Sequence, residues 1–89
     1  MAAHERSPLR RQIGDRLRAL RTEAGISSQE KLAELARVDR TYIGRLERGE
    51  SGVTVESLAA IVGAMSVSLA KFFQPFARPL KLRTPRRRE

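Results

Sequence analysis

The sequence predicts an all-α protein, a compact bundle of five short helices with a basic C-terminal tail. Three observations predict it. Apolar residues recur at three- and four-residue intervals, in segments separated by the Gly, Ser, Thr and Asp residues that stop and start helices. No segment shows the period of two that a half-buried strand needs, and no internal repeat stands out. The last stretch, QPFARPLKLRTPRRRE, holds three prolines and six basic residues, and reads as mostly extended or disordered.

Ser7-Pro8 opens the first helix, with serine as cap and proline at the first helical position. Leu9, Ile13, Leu17, Leu20 and Ala24 then form one apolar stripe, and Gly25 ends the helix as a left-handed residue, giving a span of 8–24. Ser27-Ser28-Gln29-Glu30 offers a capping box, Ser27-x-x-Glu30, to a second helix at 28–36. Leu32, Ala33, Leu35 and Ala36 are its expected buried face. Asp39 caps a third helix, 39–47, whose inward residues are Ile43 and Leu46.

Gly49-Glu50-Ser51-Gly52 is a turn, and Thr54 caps a fourth helix with Val55, Leu58, Ala59, Ile61, Val62 and Met65 at its apolar positions. Ser68 caps a short fifth helix carrying Leu69, Phe72 and Phe73, which Pro75 stops. The domain organisation expected is a flexible arm at 1–7, a folded domain at 8–73 and the tail at 74–89. Phe76, Leu80 and Leu82 are apolar groups that a solvated tail does not need, so one or more of them is expected to dock on the body or on a partner.

Composition narrows the function. The chain has 89 residues, enough for one domain, and a formal charge of +8. That excess is uneven: residues 1–73 hold 12 Lys/Arg against 9 Asp/Glu, and residues 74–89 hold 6 against 1. A basic balance favours a polyanionic partner through long-range attraction and counterion release. Without cysteine there is no disulfide framework or thiolate metal site, which fits a cytoplasmic protein. His4 is the one histidine, and no glycine loop cradles phosphate, so no metal site, cofactor or nucleophile–base pair is expected and an enzyme is set aside. The N-terminal MAAHERSP does not read as a signal peptide, and no apolar run has membrane length.

The segment from Gln29 to Arg48, QEKLAELARVDRTYIGRLER, is the most informative stretch. It reads as two short helices across a tight turn, with Ala33 as the small residue where they approach. Turning Ile43 and Leu46 inward rotates positions 40, 41, 42, 44 and 45 outward, and Gly44 leaves room there for close approach. Arg40 and Arg45 then lie on neighbouring turns of the exposed side, where an arginine can fork two hydrogen bonds onto a guanine edge. The helix starts at Gln29 and Asp39 would turn their orphan N–H groups toward phosphates. This is a helix-turn-helix pattern.

The ordered set Arg18-x-x-Arg21, Gly25-Ile26, Gln29-Glu30-x-Leu32-Ala33-x-x-Ala36 and Ile43-x-x-Leu46-Glu47-Arg48-Gly49 resembles the Cro/CI-type, or XRE, helix-turn-helix family of lambda-repressor-like domains. Thr54-x-x-x-Leu58-Ala59-x-Ile61 and the VSLAKFF segment are similar to its fourth and fifth helices, so the resemblance covers about residues 9–73. Asp39 to Ile43 with Glu47-Arg48-Gly49 is similar in particular to controller proteins of restriction–modification systems. The resemblance implies a homodimer in the bacterial cytoplasm, associated with the nucleoid, that reads two half-sites of a double-stranded DNA operator and regulates transcription. By position, Arg40, Thr41 and Arg45 would read bases, Gln29 would bond a phosphate or base edge, and Tyr42 and Ser28 would hold phosphates. Val67, Leu69, Phe72 and Phe73 would form the dimer contact, and Arg21 and Glu47 a structural ion pair.

Three positions depart from the family pattern. Ser27-Ser28 stands where a single Ser or Thr is usual, and Arg37 occupies a turn position where glycine is common. Ser51-Gly52 stands where controller-like relatives often carry Arg-Asn, leaving Arg48 as the expected phosphate contact of that loop. Competing readings stay open at this point. Tyr42 packs its ring on the second helix or holds a phosphate. Arg10, Arg11, Arg16 and Arg18 solvate the first helix or meet phosphates. The RRR cluster is a non-specific electrostatic tail or a minor-groove arm. The second functional class is an antitoxin-like or bridging adaptor on the same scaffold, binding a protein through Phe76, Leu80 and Leu82.

Overall fold

In the computed structural model, residues 7–76 are described; residues 1–6 and 77–89, with Leu80, Leu82 and the RRR cluster, lie outside the described residues. The chain forms five α-helices in order: α1 Pro8–Glu23, α2 Gln29–Ala36, α3 Arg40–Glu47, α4 Val55–Ala64 and α5 Leu69–Phe73. A short 3-10 turn, Gln74–Phe76, follows. There is no strand among the described residues.

Each helix starts on a side-chain cap. Ser7, Ser28, Thr54 and Ser68 accept from the backbone N–H three residues on, and Asp39 accepts from Thr41. Such caps are worth about 1 kcal/mol each. The cap of α2 is Ser28, not Ser27, and the expected capping box does not form. Arg21 and Ile26 tie the turn to the end of α1, so Ser27 is spent on the connection and the third helical residue becomes Lys31, which cannot accept.

Four helices end by one device. A residue at positive φ (Gly25, Arg37, Gly49, Ser66) is followed by an N–H that reaches back five residues: Ile26 to Arg21, Val38 to Ala33, Glu50 to Arg45, Val67 to Val62. Glycine adopts this backbone freely, whereas Arg37 and Ser66 carry a penalty on the order of 1 kcal/mol each. Ser66 has no counterpart among the glycines and could not be anticipated from spacing.

The core takes side chains from every helix: Leu17 and Leu20, Leu32 and Ala33, Ile43 and Leu46, Leu58, Ile61, Val62 and Met65, and Phe72. Each large member is worth about 1.5–3 kcal/mol on burial. Two expectations fail here. Leu35, assigned to the buried face of α2, is 52% exposed, and Val55 is 68% exposed at the first turn of α4. Leu32, Ala33 and Ala36 already fill the inward stripe of an eight-residue helix, and Leu35 lies outside it.

The C-terminal end also departs from expectation. Gln74–Phe76, assigned to an extended tail, are folded, and Phe76 packs its ring 6.0 Å from Phe72 and 5.1 Å from Phe73. Phe76 therefore docks on its own protomer. Phe72, expected in the dimer contact, is fully enclosed in the core. No single helix among the described residues is long and apolar enough to cross a membrane.

Candidate nucleic-acid interface

The helix-turn-helix is α2 and α3. Its turn is closed by the Val38 N–H on the Ala33 carbonyl (3.0 Å), and Ala33 is buried where the two helices meet. Ile43 and Leu46 anchor α3 inward. At 100° per residue, that leaves Arg40, Thr41, Arg45 and Arg48 exposed along its outer side.

One carboxylate pins three helices. Glu47, near the end of α3, accepts from Arg21 Nε at 2.7 Å and Arg21 Nη2 at 3.1 Å, a bidentate pair with α1. Its Oε1 also accepts from Gln29 Nε2 at 3.0 Å, at the start of α2. Arg21 Nη1 donates to the Ile26 carbonyl in the α1–α2 turn. Both charged side chains are nearly buried, at 10% and 2% exposure, and their donors and acceptors are satisfied. Because a carboxylate only accepts, the Gln29 amide must turn its nitrogen toward Glu47, which sends Oε1 outward over Gly44.

That arrangement lines an open concavity of about 420 Å³ bounded by Ser28, Gln29, Glu30, Arg40, Thr41, Gly44 and Arg48. Five of the seven expected DNA-facing residues thus share one surface. Arg45 is exposed at the last turn of α3 but does not line it. Tyr42 is half-buried and packs against the core.

Gly44 faces this outer side, as the inward turn of Ile43 and Leu46 requires, and is covered there by its neighbours. A methyl group there would stand 3.1 Å from both Gln29 Oε1 and Arg48 Nη1. Glycine in mid-helix costs about 1 kcal/mol, and here it makes the space in which these two polar groups lie over the helix.

Two acidic side chains, Glu30 and Glu50, lie against the exposed cations. Glu30 lies 3.6 Å from the Arg40 guanidinium, both groups being exposed. Glu50 accepts from Arg48 Nε at 3.0 Å and Nη2 at 3.2 Å. The hydrogen bonds to Glu50, and then its charge, raise the Arg48 pKa above the ordinary arginine value, so Arg48 is a fixed cation. With one edge of the guanidinium on Glu50, Nη1 is turned toward Gly44 and the concavity.

Among the described residues no group of three or more His, Cys, Asp or Glu side chains is placed to hold a metal ion. The first helix separates its arginines. Arg16 donates from Nε to the Phe72 carbonyl at 2.8 Å and from Nη2 to the Lys71 carbonyl at 2.7 Å, so it caps the end of α5. Val67 and Leu69 are half-buried and Phe73 is 38% exposed, which leaves an apolar surface at this end of the molecule.

Comparison with known proteins places this geometry. The HTH_3 family model, a helix-turn-helix, matches residues 17–72. The control protein C.SmaI of Serratia marcescens is 46% identical over 44 residues, a segment covering 49% of this chain and 52% of C.SmaI. The chain thus spans about half the length of that relative. The crystal structure of the restriction-modification controller protein C.AhdI from Aeromonas hydrophila is 38% identical, with a TM-score of 0.68 over 72% of this chain and 96% of that one. The clp gene regulator ClgR from C. glutamicum is 35% identical, with a TM-score of 0.71 over 78% and 87% of the two chains.

Proposed function

The chain belongs to the HTH_3 helix-turn-helix family, the XRE type of DNA-binding transcriptional regulator, and on that premise we propose that it is a homodimer reading a palindromic operator with α3 in the major groove. One observation carries the reading: the concavity joins the α2 start to the outer side of α3 and brings Ser28, Gln29, Arg40, Thr41 and Arg48 onto a single surface. An α-helix with its side chains is about 10–12 Å across, which a major groove about 12 Å wide admits.

Arg40 and Thr41, at the exposed first turn of α3, read base edges, with Arg45 one turn further on. Arg48 and the N–H groups at the start of α2, capped by Ser28, hold phosphates. Gln29 contributes its outward carbonyl oxygen and its second amide N–H, since the first is committed to Glu47. Tyr42 reaches a phosphate with its hydroxyl while its ring stays packed. The apolar surface of Val67, Leu69 and Phe73 joins the two protomers, with Phe72 behind it as core.

Similarity to a restriction-modification controller protein and to a clp gene regulator supports regulation of transcription as the activity, and the cytoplasm, at the nucleoid, is the location we assign to it. Selection of bound duplexes from a random DNA pool tests the whole reading. A palindrome with half-site centres about 34–36 Å apart, one helical turn, is the expected product. Enrichment of a single asymmetric half-site overturns the dimeric readout, and no enrichment overturns sequence-specific binding.

A further inference from the structure

Four arginines of α1, those outside the pair with Glu47, have different environments. Arg16 is spent on the α5 carbonyls. Arg11 packs its stem against Gly49, whose missing side chain would otherwise meet the Arg11 Cγ at 2.9 Å and Cα at 3.1 Å. Arg18 is simply exposed. Arg10 is different again: its guanidinium lies over Gly52, with Nη2, Nε and Cζ at 3.2, 3.5 and 3.7 Å from where a Cβ would stand. The loop between α3 and α4 therefore seats a cation delivered from another helix. Among the described residues no carboxylate or carbonyl accepts from that guanidinium.

We propose that Arg10, seated by Gly52, is a DNA phosphate contact that extends the interface past the C-terminal end of α3. The proposal rests on the DNA-binding reading above. Arg48 lines the concavity at the end of α3, Glu50 holds it, and Gly52 follows two residues later, so the Arg10 guanidinium lies over the loop that leads on from Arg48. Arg10 lies beyond the opposite end of α3 from Arg40 and Thr41, where base edges are read. A sequence-independent partner is therefore the appropriate one, and an arginine fork matches two phosphate oxygens. Gly52 sits at ordinary φ, so its lack of a side chain is used for space and not for backbone freedom.

The test measures affinity for a mixed-sequence DNA duplex by fluorescence anisotropy across a salt series, using the full chain. Each lost phosphate contact lowers the slope of log K against log salt by about 0.9, so between 50 and 200 mM salt Arg10→Ala should lose roughly threefold less affinity per protomer than wild type. Base preference should be unchanged. Arg37→Gly removes one charge at a left-handed turn that glycine fits, and should leave the slope as it is. Gly52→Val should weaken binding in the wild-type background and have no further effect on Arg10→Ala, since it acts only by unseating Arg10. An Arg10→Ala slope equal to wild type, or an equal change from Arg37→Gly, overturns the proposal while DNA binding stands. Salt-independent or absent binding by the wild-type protein overturns the DNA reading as well.

Discussion

Gly14 of α1 lies directly against the Leu46 carbonyl oxygen of α3, so that a methyl group at Gly14 would collide with it and stand 2.7 Å from the Glu47 carbonyl oxygen. The two helices meet backbone to backbone. This contact sets the depth at which α3 sits in the domain and hence how far its outer side projects. Gly14→Ala gains up to about 1 kcal/mol of helix propensity but must push α3 outward, at a cost of about 1–3 kcal/mol for overpacking. Chemical denaturation should show a net loss of stability, with DNA affinity falling alongside. A variant as stable as wild type would show that the approach is looser than the structure has it.

Glu47 is the second determinant of that position. Removing it as Glu47→Ala strands Arg21 in a nearly buried site and frees the Gln29 amide, and breaking such a pair from one side costs about 3–5 kcal/mol. Arg21→Met with Glu47→Leu removes both charges and should recover much of that loss in denaturant midpoint. Recovered stability without recovered DNA affinity would mark Glu47 as a positioning residue for Gln29. A double variant no more stable than Glu47→Ala would count against the ion pair as the source of the loss.

Arg16 couples α1 to α5. Its two donors hold the last carbonyls of a five-residue helix that has few other means of keeping its shape. Hydrogen bonds to a charged group contribute about 1.5–3 kcal/mol, so Arg16→Ala should loosen α5 by that order. If Val67, Leu69 and Phe73 form the dimer surface, sedimentation equilibrium should show the variant dissociating at higher protein concentration than wild type. Unchanged self-association would separate α5 from the dimer contact.

Gly14 and Arg16 also mark where the sequence stops being readable. The caps Ser7, Asp39, Thr54 and Ser68 are local, since each is a side chain beside its own helix, and they were legible. The inward pair Ile43 and Leu46 was legible because burial on a short helix leaves one stripe. Gly14 was not, since in one dimension it is only a weak helix former and its reason lies 32 residues away in Leu46. Arg16 is indistinguishable in sequence from Arg10 and Arg18, and only the fold brings the α5 carbonyls to it. The capping-box spacing points to Ser27 as the α2 cap, and the Arg21–Ile26 contact shifts the cap to Ser28.

Glu30 presents the sharpest test of the recognition surface itself. Its carboxylate stands 3.6 Å from the Arg40 guanidinium, on the same concavity, with both groups open to solvent. An exposed pair of this kind adds little to stability. On the proposed base-reading role of Arg40, the carboxylate would restrain its fork and repel phosphates that approach without the matching base. Glu30→Gln should therefore bind mixed-sequence duplex more tightly and discriminate less between operator and competitor. Arg40→Ala should lose roughly 1–3 kcal/mol of discrimination at one operator position, the worth of one bidentate base contact. In the double variant the effect of Glu30→Gln on discrimination should vanish, because its target is gone. Competition binding with single-position operator variants measures all three, and an undiminished Glu30→Gln effect in the absence of Arg40 would show that Glu30 acts on DNA by itself.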